Sequence, residues 1–218
     1  MARARVRAMT DHASAPRRPA AILWDLGNVL CDWSPRRLYS QLIADEAELD
    51  RFLTEVCSMD WHARHDAGAT MAENRRPLIA AHPGKAALIE AWETRWDEMF
   101  DGHVEGMAGM VERVAELGLP QYALSNLPAE KWPPLKAMYP ALTRLDDAII
   151  SGEEGVIKPD PAIYAITAAR IAHAPQETLF IDDRRENIEA AMDAGFIGHH
   201  FTGADALRAD LARRGIAL

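Results

Sequence analysis

Apolar residues along the chain fall into short unbroken runs, separated by longer stretches where they recur every three or four positions. The runs are Ala21–Trp24, which ends on Asp25, then Gln121–Leu124, Ala148–Ile150, Thr178–Ile181 and Ile197–Phe201. Continuous apolar runs predict strands covered on both faces, hence a mostly parallel sheet. The intervening segments predict helices. Val104–Gly118 carries Met107, Met110, Val111, Val114 and Leu117 at helical spacing, with Gly118 as a stop. Asp160–Ala172 has Pro161 in its first turn, and Glu186–Ala194 closes at Gly195. Strand and helix in alternation predict an α/β fold with a doubly wound parallel-sheet core.

One gap breaks the alternation. From Leu30 to about Gly106 no strand pattern stands out. Helical patterns fill it instead, at Arg36–Ile43, Ala47–Val56, Met71–His82 and Lys85–Phe100. The expected organisation is therefore a core at 20–30 and 104–218, with a helical cap at 31–103 inserted after the first strand. Residues 1–19 differ in composition: Arg3, Arg5, Arg7, Arg17 and Arg18 face a single acid, Asp11. They are expected to form a poorly ordered tail.

Composition narrows the class. The 218 residues suffice for one core with a modest insertion. A net charge of −9 argues against a nucleic-acid partner, and no apolar run approaches membrane-span length. Cys31 and Cys57 lack a CxxC spacing, so they are expected to be small core residues in a reducing cytoplasm. Either a monomer or a homodimer is compatible with this sequence.

Polar residues end the runs where chemistry is expected. Asp25, Ser125-Asn126 and Asp182-Asp183 follow three of the strands, and strand C-termini of a parallel sheet share one edge. Lys158, in "GVIKPDP", follows the Ala148–Ile150 run. Three converging carboxylates repel one another unless a cation sits among them. Mg²⁺ suits a site of one or two carboxylates with carbonyls, water and phosphate oxygens. Lys158 adds a point charge for a phosphate and Ser125 a hydrogen-bond donor. This set suits phosphoryl transfer, where positioning and charge neutralisation dominate.

"WDLGNVL", "YALSN", "IKPDPAIY" and "LFIDDRRENIEAA", in that order, resemble the four motifs of the haloacid dehalogenase (HAD) superfamily, in particular its DLGNV-type sugar-phosphate phosphatases. The resemblance implies that Asp25 is the nucleophile of a Mg²⁺-dependent phosphatase acting on a small phosphorylated metabolite. It implies metal ligation by Asp25, the Gly27 carbonyl, Asp183 and Asp182. Ser125 and Asn126 would hold the phosphoryl group, and Lys158 would neutralise Asp25 and the phosphate. One position departs from the pattern. Gly27 stands where most phosphatases of the superfamily carry a second Asp, the proton donor. General acid catalysis contributes roughly 10²–10⁴-fold, so a substitute is expected. The stretch "MDWHARHDAGAT" in the cap is expected to meet substrate through His62, His65 and Asp66, and either histidine could serve as the donor. Two rival readings remain. One is a 2-haloacid dehalogenase, which the Asp182-Asp183 pair disfavours. The other is a non-catalytic module that binds a phosphate ligand.

Overall fold

The computed structural model describes residues 17–218, and residues 1–16 of the Arg-rich start lie outside it. The sheet is built from β1 (Ala21–Trp24), β4 (Gln121–Ser125), β5 (Asp147–Ile150), β6 (Thr178–Asp182) and β7 (Ile197–His200). Its order is β5-β4-β1-β6-β7, with every pairing parallel. β1 is therefore central, flanked by β4 and β6. Adjacent strands run in the same direction, so Asp25, Ser125 and Asp182 finish on one edge.

Side-chain alternation along these strands divides the core into two layers. Ala21 and Leu23 of β1 join Tyr122, Leu124, Ile149 and Phe180 on one face. They pack against α9 (Pro161–Arg170) and α10 (Arg185–Asp193) through Ile163, Tyr164, Ile188 and Ala191. Ile22 and Trp24 join Ala123, Leu179 and Ile181 on the other. That face carries α6 (Met107–Glu116), α7 (Trp132–Met138) and α11 (Ala204–Arg213). A polar tie locks the second layer: Trp24 Nε1 donates to Gln121 Oε1 at 3.0 Å, and Gln121 Nε2 donates to the Val111 carbonyl.

Between Trp33 and Phe100 the chain is helical: α1 (Pro35–Leu42), α2 (Glu46–Arg51), α3 (Met59–Asp66), α4 (Met71–Ala81) and α5 (Ala86–Thr94). Local signals explain where these helices begin. The Ser58 hydroxyl accepts from Trp61 N–H at the head of α3, and Thr70 with Glu73 forms a full capping box on α4. Leu38, Tyr39, Leu49, Phe52, Trp61 and Trp92 from this segment continue the hydrophobic cluster of the adjacent sheet face without a break.

Several details differ from the sequence expectation. The gap holds two short strands, β2 (Cys31–Trp33) and β3 (Phe100–His103), paired antiparallel. Runs of three or four residues at the junction of two units are too short to stand out as a pattern. The Ala47–Val56 pattern splits into α2 and a π-helical turn, Phe52–Val56. The Lys85–Phe100 pattern splits into α5 and a 3₁₀ turn, Trp96–Met99, before β3. Among the described residues no helix is long and apolar enough to cross a membrane.

The loop after β4 rests on α8 (Ser151–Glu154). Ser151 Oγ accepts from Leu127 N–H, and Gly152 N–H donates to the Leu127 carbonyl. A Cβ on Gly152 would lie 2.8 Å from the Leu127 oxygen and closer still to the Ala129 nitrogen, both backbone atoms that cannot swing away. Gly152→Ala is accordingly expected to cost about 1–3 kcal/mol by overpacking. Urea denaturation measures the loss; an unchanged midpoint would mean that the loop gives way freely.

Candidate active site

Asp25 stands at the tip of the central strand, 7% exposed. Its Oδ1 accepts from Leu26 N–H at 2.7 Å, from Ser125 Oγ at 3.0 Å and from Lys158 Nζ at 2.9 Å. Oδ2 takes none of these bonds. Lys158, 2% exposed, also donates to Asp182 Oδ2 at 2.7 Å and to the Leu124 carbonyl at 2.9 Å. All three donors of the ammonium are thus used, and it bridges carboxylates from the ends of two neighbouring strands.

Asp182 is fully buried and held from several sides. Beyond Lys158, it accepts from Asn187 Nδ2 at 3.0 Å and from Arg184 N–H at 2.8 Å. Asn187 lies in the first turns of α10. Asp183 is half-buried, and its carbonyl oxygen lies 2.9 Å from His200 Nε2. One carboxylate oxygen from each of Asp25, Asp182 and Asp183 lies within 4.8 Å of the others.

Three carboxylates against one ammonium leave excess negative charge in a dry place. The consequence is visible in Asp25. Desolvation pushes its carboxyl up to about 7; Lys158 pulls the other way, while Asp182 and then Asp183 add to the rise. For Lys158, burial works against the charged form, but Asp182 and Asp25 outweigh it and hold the ammonium above its ordinary range. Hard oxygen donors with surplus negative charge fit a small divalent cation.

The polar cluster forms the floor of a cavity of about 430 Å³, which Asp25, Gly27, Ser125, Asn126, Lys158 and Asp183 all line. Gly27 has open space where a Cβ would stand, so the side chain missing there is a matter of sequence and not of room. The Asn126 side chain does not present itself as expected. Its Nδ2 donates to the Lys158 carbonyl at 3.0 Å and its Oδ1 accepts from Lys158 N–H at 2.8 Å. Both ends of the carboxamide are therefore occupied in fixing the lysine backbone. Ser125 likewise spends its hydroxyl on orienting Asp25.

The residues of α3 divide. His62 and Asp66 line the cavity, whereas His65 does not. His65 packs edge-on against Trp61, with ring centroids 4.6 Å apart. His62 stacks on Trp33 at 5.4 Å. Burial pushes His62 down to about 3 and His65 down to about 4, so both are neutral imidazoles at ordinary pH. A neutral imidazole in an aromatic stack is a poor reservoir of acid, which weighs against either histidine as the proton donor. Asp66 behaves in the opposite way. It is 7% exposed, its Oδ1 has no hydrogen-bond partner, and His62 Nε2 lies 3.5 Å from that oxygen. Desolvation pushes its carboxyl up to about 7, against Lys158 and with Asp25.

Sequence reasoning missed the supporting residues. Asn187 carries a weak signal, an Asn one turn into the helix that follows Asp182-Asp183. Trp33, Trp96 and Phe100 also line the cavity; Trp33 lies on β2, where no strand pattern stands out, and Trp96 and Phe100 lie on the 3₁₀ turn and β3, within the Lys85–Phe100 stretch that reads as helical.

A parallel sheet with its polar cavity at the carboxyl ends of the central strands defines a Rossmann-like α/β protein with its site at the usual edge. The chain belongs to the haloacid dehalogenase-like hydrolase family, whose model matches residues 19–195. It is an enzyme of that hydrolase class. A sesquiterpene phosphatase from Aspergillus oryzae is 25% identical over 185 residues, which span 84% of this chain and 89% of that protein. A flavin mononucleotide hydrolase from Arabidopsis thaliana is 39% identical over 62 residues, 28% of this chain and 25% of that one. Among solved structures, a HAD family enzyme from Bacteroides thetaiotaomicron, in complex with magnesium and inorganic phosphate, has a TM-score of 0.67 at 21% identity, covering 87% of this chain and 96% of that one. An L-2-haloacid dehalogenase from Xanthobacter autotrophicus has a TM-score of 0.61 at 18% identity, covering 92% and 85%. These likenesses establish the fold.

The bridge makes a testable demand. Lys158→Met leaves two buried carboxylates without a counter-charge, a loss of about 3–5 kcal/mol. The folded variant must then hold protons that the unfolded chain, with carboxyls near roughly 4, releases. Its stability is expected to fall as pH rises from about 5 to 8, widening the gap to the parent. Denaturation at both pH values measures the gap; one that stays constant would mean that the ammonium does not compensate the carboxylates.

Proposed function

We propose that this hydrolase cleaves small phosphate monoesters, with Asp25 as the nucleophile and Mg²⁺ as the cofactor. The observation that carries the reading is the asymmetry of Asp25: Oδ1 is saturated by Leu26, Ser125 and Lys158, while Oδ2 is left for a reacting atom. The names of the two curated relatives, a phosphatase and a flavin mononucleotide hydrolase, support it. So does the magnesium and inorganic phosphate in the solved relative. Family membership weighs against the non-catalytic module. The acidic cluster disfavours a haloacid substrate, whose own carboxylate would meet Asp25, Asp182 and Asp183.

Asp25, Asp183 and the Gly27 carbonyl would hold the cation, with Asp182 behind them. When bound, the cation offsets the negative charge of the phosphate and the carboxylates. In the first step a bond forms between Asp25 Oδ2 and phosphorus as the bond from phosphorus to the alcohol oxygen breaks. Lys158 favours the ionised form of Asp25 against the desolvation that pushes its carboxyl up to about 7, and Ser125 aims it. In the second step water attacks phosphorus, the bond to Oδ2 breaks, and inorganic phosphate leaves. The helices between Trp33 and Phe100 act as the cap that shields these steps from bulk water.

Asp66 takes the proton-donor role left open at Gly27. It lines the same cavity, and desolvation pushes its carboxyl up to about 7. Its proton goes to the departing alkoxide, and its carboxylate then accepts a proton from the attacking water.

Two outcomes are expected. With p-nitrophenyl phosphate, EDTA abolishes turnover and added Mg²⁺ restores it, while Asp25→Asn reduces turnover to the buffer background; activity that survives either treatment would exclude this chemistry. Asp66→Asn is expected to lower kcat/KM for alkyl phosphates by about 10²–10⁴-fold and to spare p-nitrophenyl phosphate, whose leaving group needs no proton. In the parent, kcat/KM for alkyl esters falls above about pH 7, as Asp66 loses its proton, and also below it, as Asp25 gains one. Equal losses on both esters would reduce Asp66 to a residue that shapes the cavity.

A further inference from the structure

The cavity has two distinct parts. Its floor is polar, formed by Asp25, Ser125, Lys158 and Asp183. Its walls are apolar along one side, while Asn28, Asp60, His62, Asp66 and Arg184 also line it. Trp33 comes from β2, Phe100 from β3, Trp96 from the turn between α5 and β3, Leu135 from α7, and Met59 from the head of α3. These side chains are held in place by packing. Trp96 and Phe100 meet edge to face with centroids 4.6 Å apart, and Trp33 stacks on the neutral His62. Met59 is 51% exposed at the rim, one of few large apolar side chains turned to solvent.

Several of the polar groups near the walls are already partly engaged. Asn28 Oδ1 accepts from Trp33 N–H, and the Asn126 carboxamide is turned to the Lys158 backbone, which it bonds through its oxygen and one N–H. Arg184 is turned to Glu186. A sugar ring would lose water from several hydroxyls here and find few partners, a loss that hydrogen bonding elsewhere would not recover. An apolar chain or ring would instead gain by burial against three aromatic faces.

We infer that the leaving-group side of this cavity selects the phosphate monoester of a hydrocarbon-rich alcohol over that of a sugar. The inference rests on the phosphatase reading of the same floor, and it replaces the sugar phosphate that the DLGNV resemblance implies. Trp33, Phe100 and Trp96 are the residues that set the preference.

A series of n-alkyl monophosphates from ethyl to decyl, kept below their micelle concentrations, tests it alongside glucose 1-phosphate and p-nitrophenyl phosphate. kcat/KM is expected to rise with chain length by up to about fourfold per buried methylene until the cavity is full. Glucose 1-phosphate is expected to fall below the longer esters by at least about tenfold, an offset of one log unit in transition-state binding. Trp33→Ala and Phe100→Ala are each expected to flatten the slope. The slope is a ratio taken within one preparation, so partial misfolding does not imitate its loss. A flat series, a slope unchanged in both variants, or glucose 1-phosphate turned over better than decyl phosphate would overturn the apolar preference while leaving the phosphatase intact. No hydrolysis of any ester, p-nitrophenyl phosphate included, would overturn both.

Discussion

The arrangement depends on one ammonium group. Lys158 lies buried between Asp25 and Asp182, with its third bond on the Leu124 carbonyl of β4, the other neighbour of the central strand. Carboxylates at the ends of apolar strands are costly to desolvate, and two of them side by side cost more. The lysine offsets enough of that cost for the strand tips to converge. It does so from a loop that Asn126 clamps at both the N–H and the carbonyl of Lys158. A single charge in a fixed place therefore ties three elements together: the central strand, its neighbour and the segment before α9.

The same interaction sets the polarity of the cavity. Because Lys158 and Ser125 both engage Asp25 Oδ1, the carboxylate has one occupied face and one open face. The surplus negative charge among Asp25, Asp182 and Asp183 suits the divalent cation that the proposed function places there. Around this floor the helical segment supplies aromatic side chains, packed in one cluster with the sheet face below. Burial in that cluster neutralises His62 and His65 and holds the Asp66 proton to about pH 7. The chemistry available to α3 is thus decided by desolvation, not by residue type alone.

This explains what could be read in the chain and what could not. The unbroken runs at Ala21–Trp24 and Thr178–Ile181 announce buried parallel strands, and each ends on an acid. Parallel topology then places those acids on one edge without any tertiary information, so Asp25, Asp182, Asp183 and Lys158 were legible. The rest depends on contacts between segments distant in sequence. Nothing near Asn126 shows that its amide will bind Lys158, 32 positions away. The "MDWHARHDAGAT" stretch shows titratable side chains but not which of them turns inward. β2 and β3 are short enough that only their pairing reveals them, and with them the aromatic wall of the cavity.

The central claim is that Asp25, held at Oδ1 and free at Oδ2, takes the phosphoryl group. Acid quenching of the enzyme during turnover, followed by borohydride reduction and peptide mass spectrometry, tests this directly. The account predicts an acyl phosphate at residue 25, reduced to homoserine at that position. Reduction at another carboxylate would contradict the account.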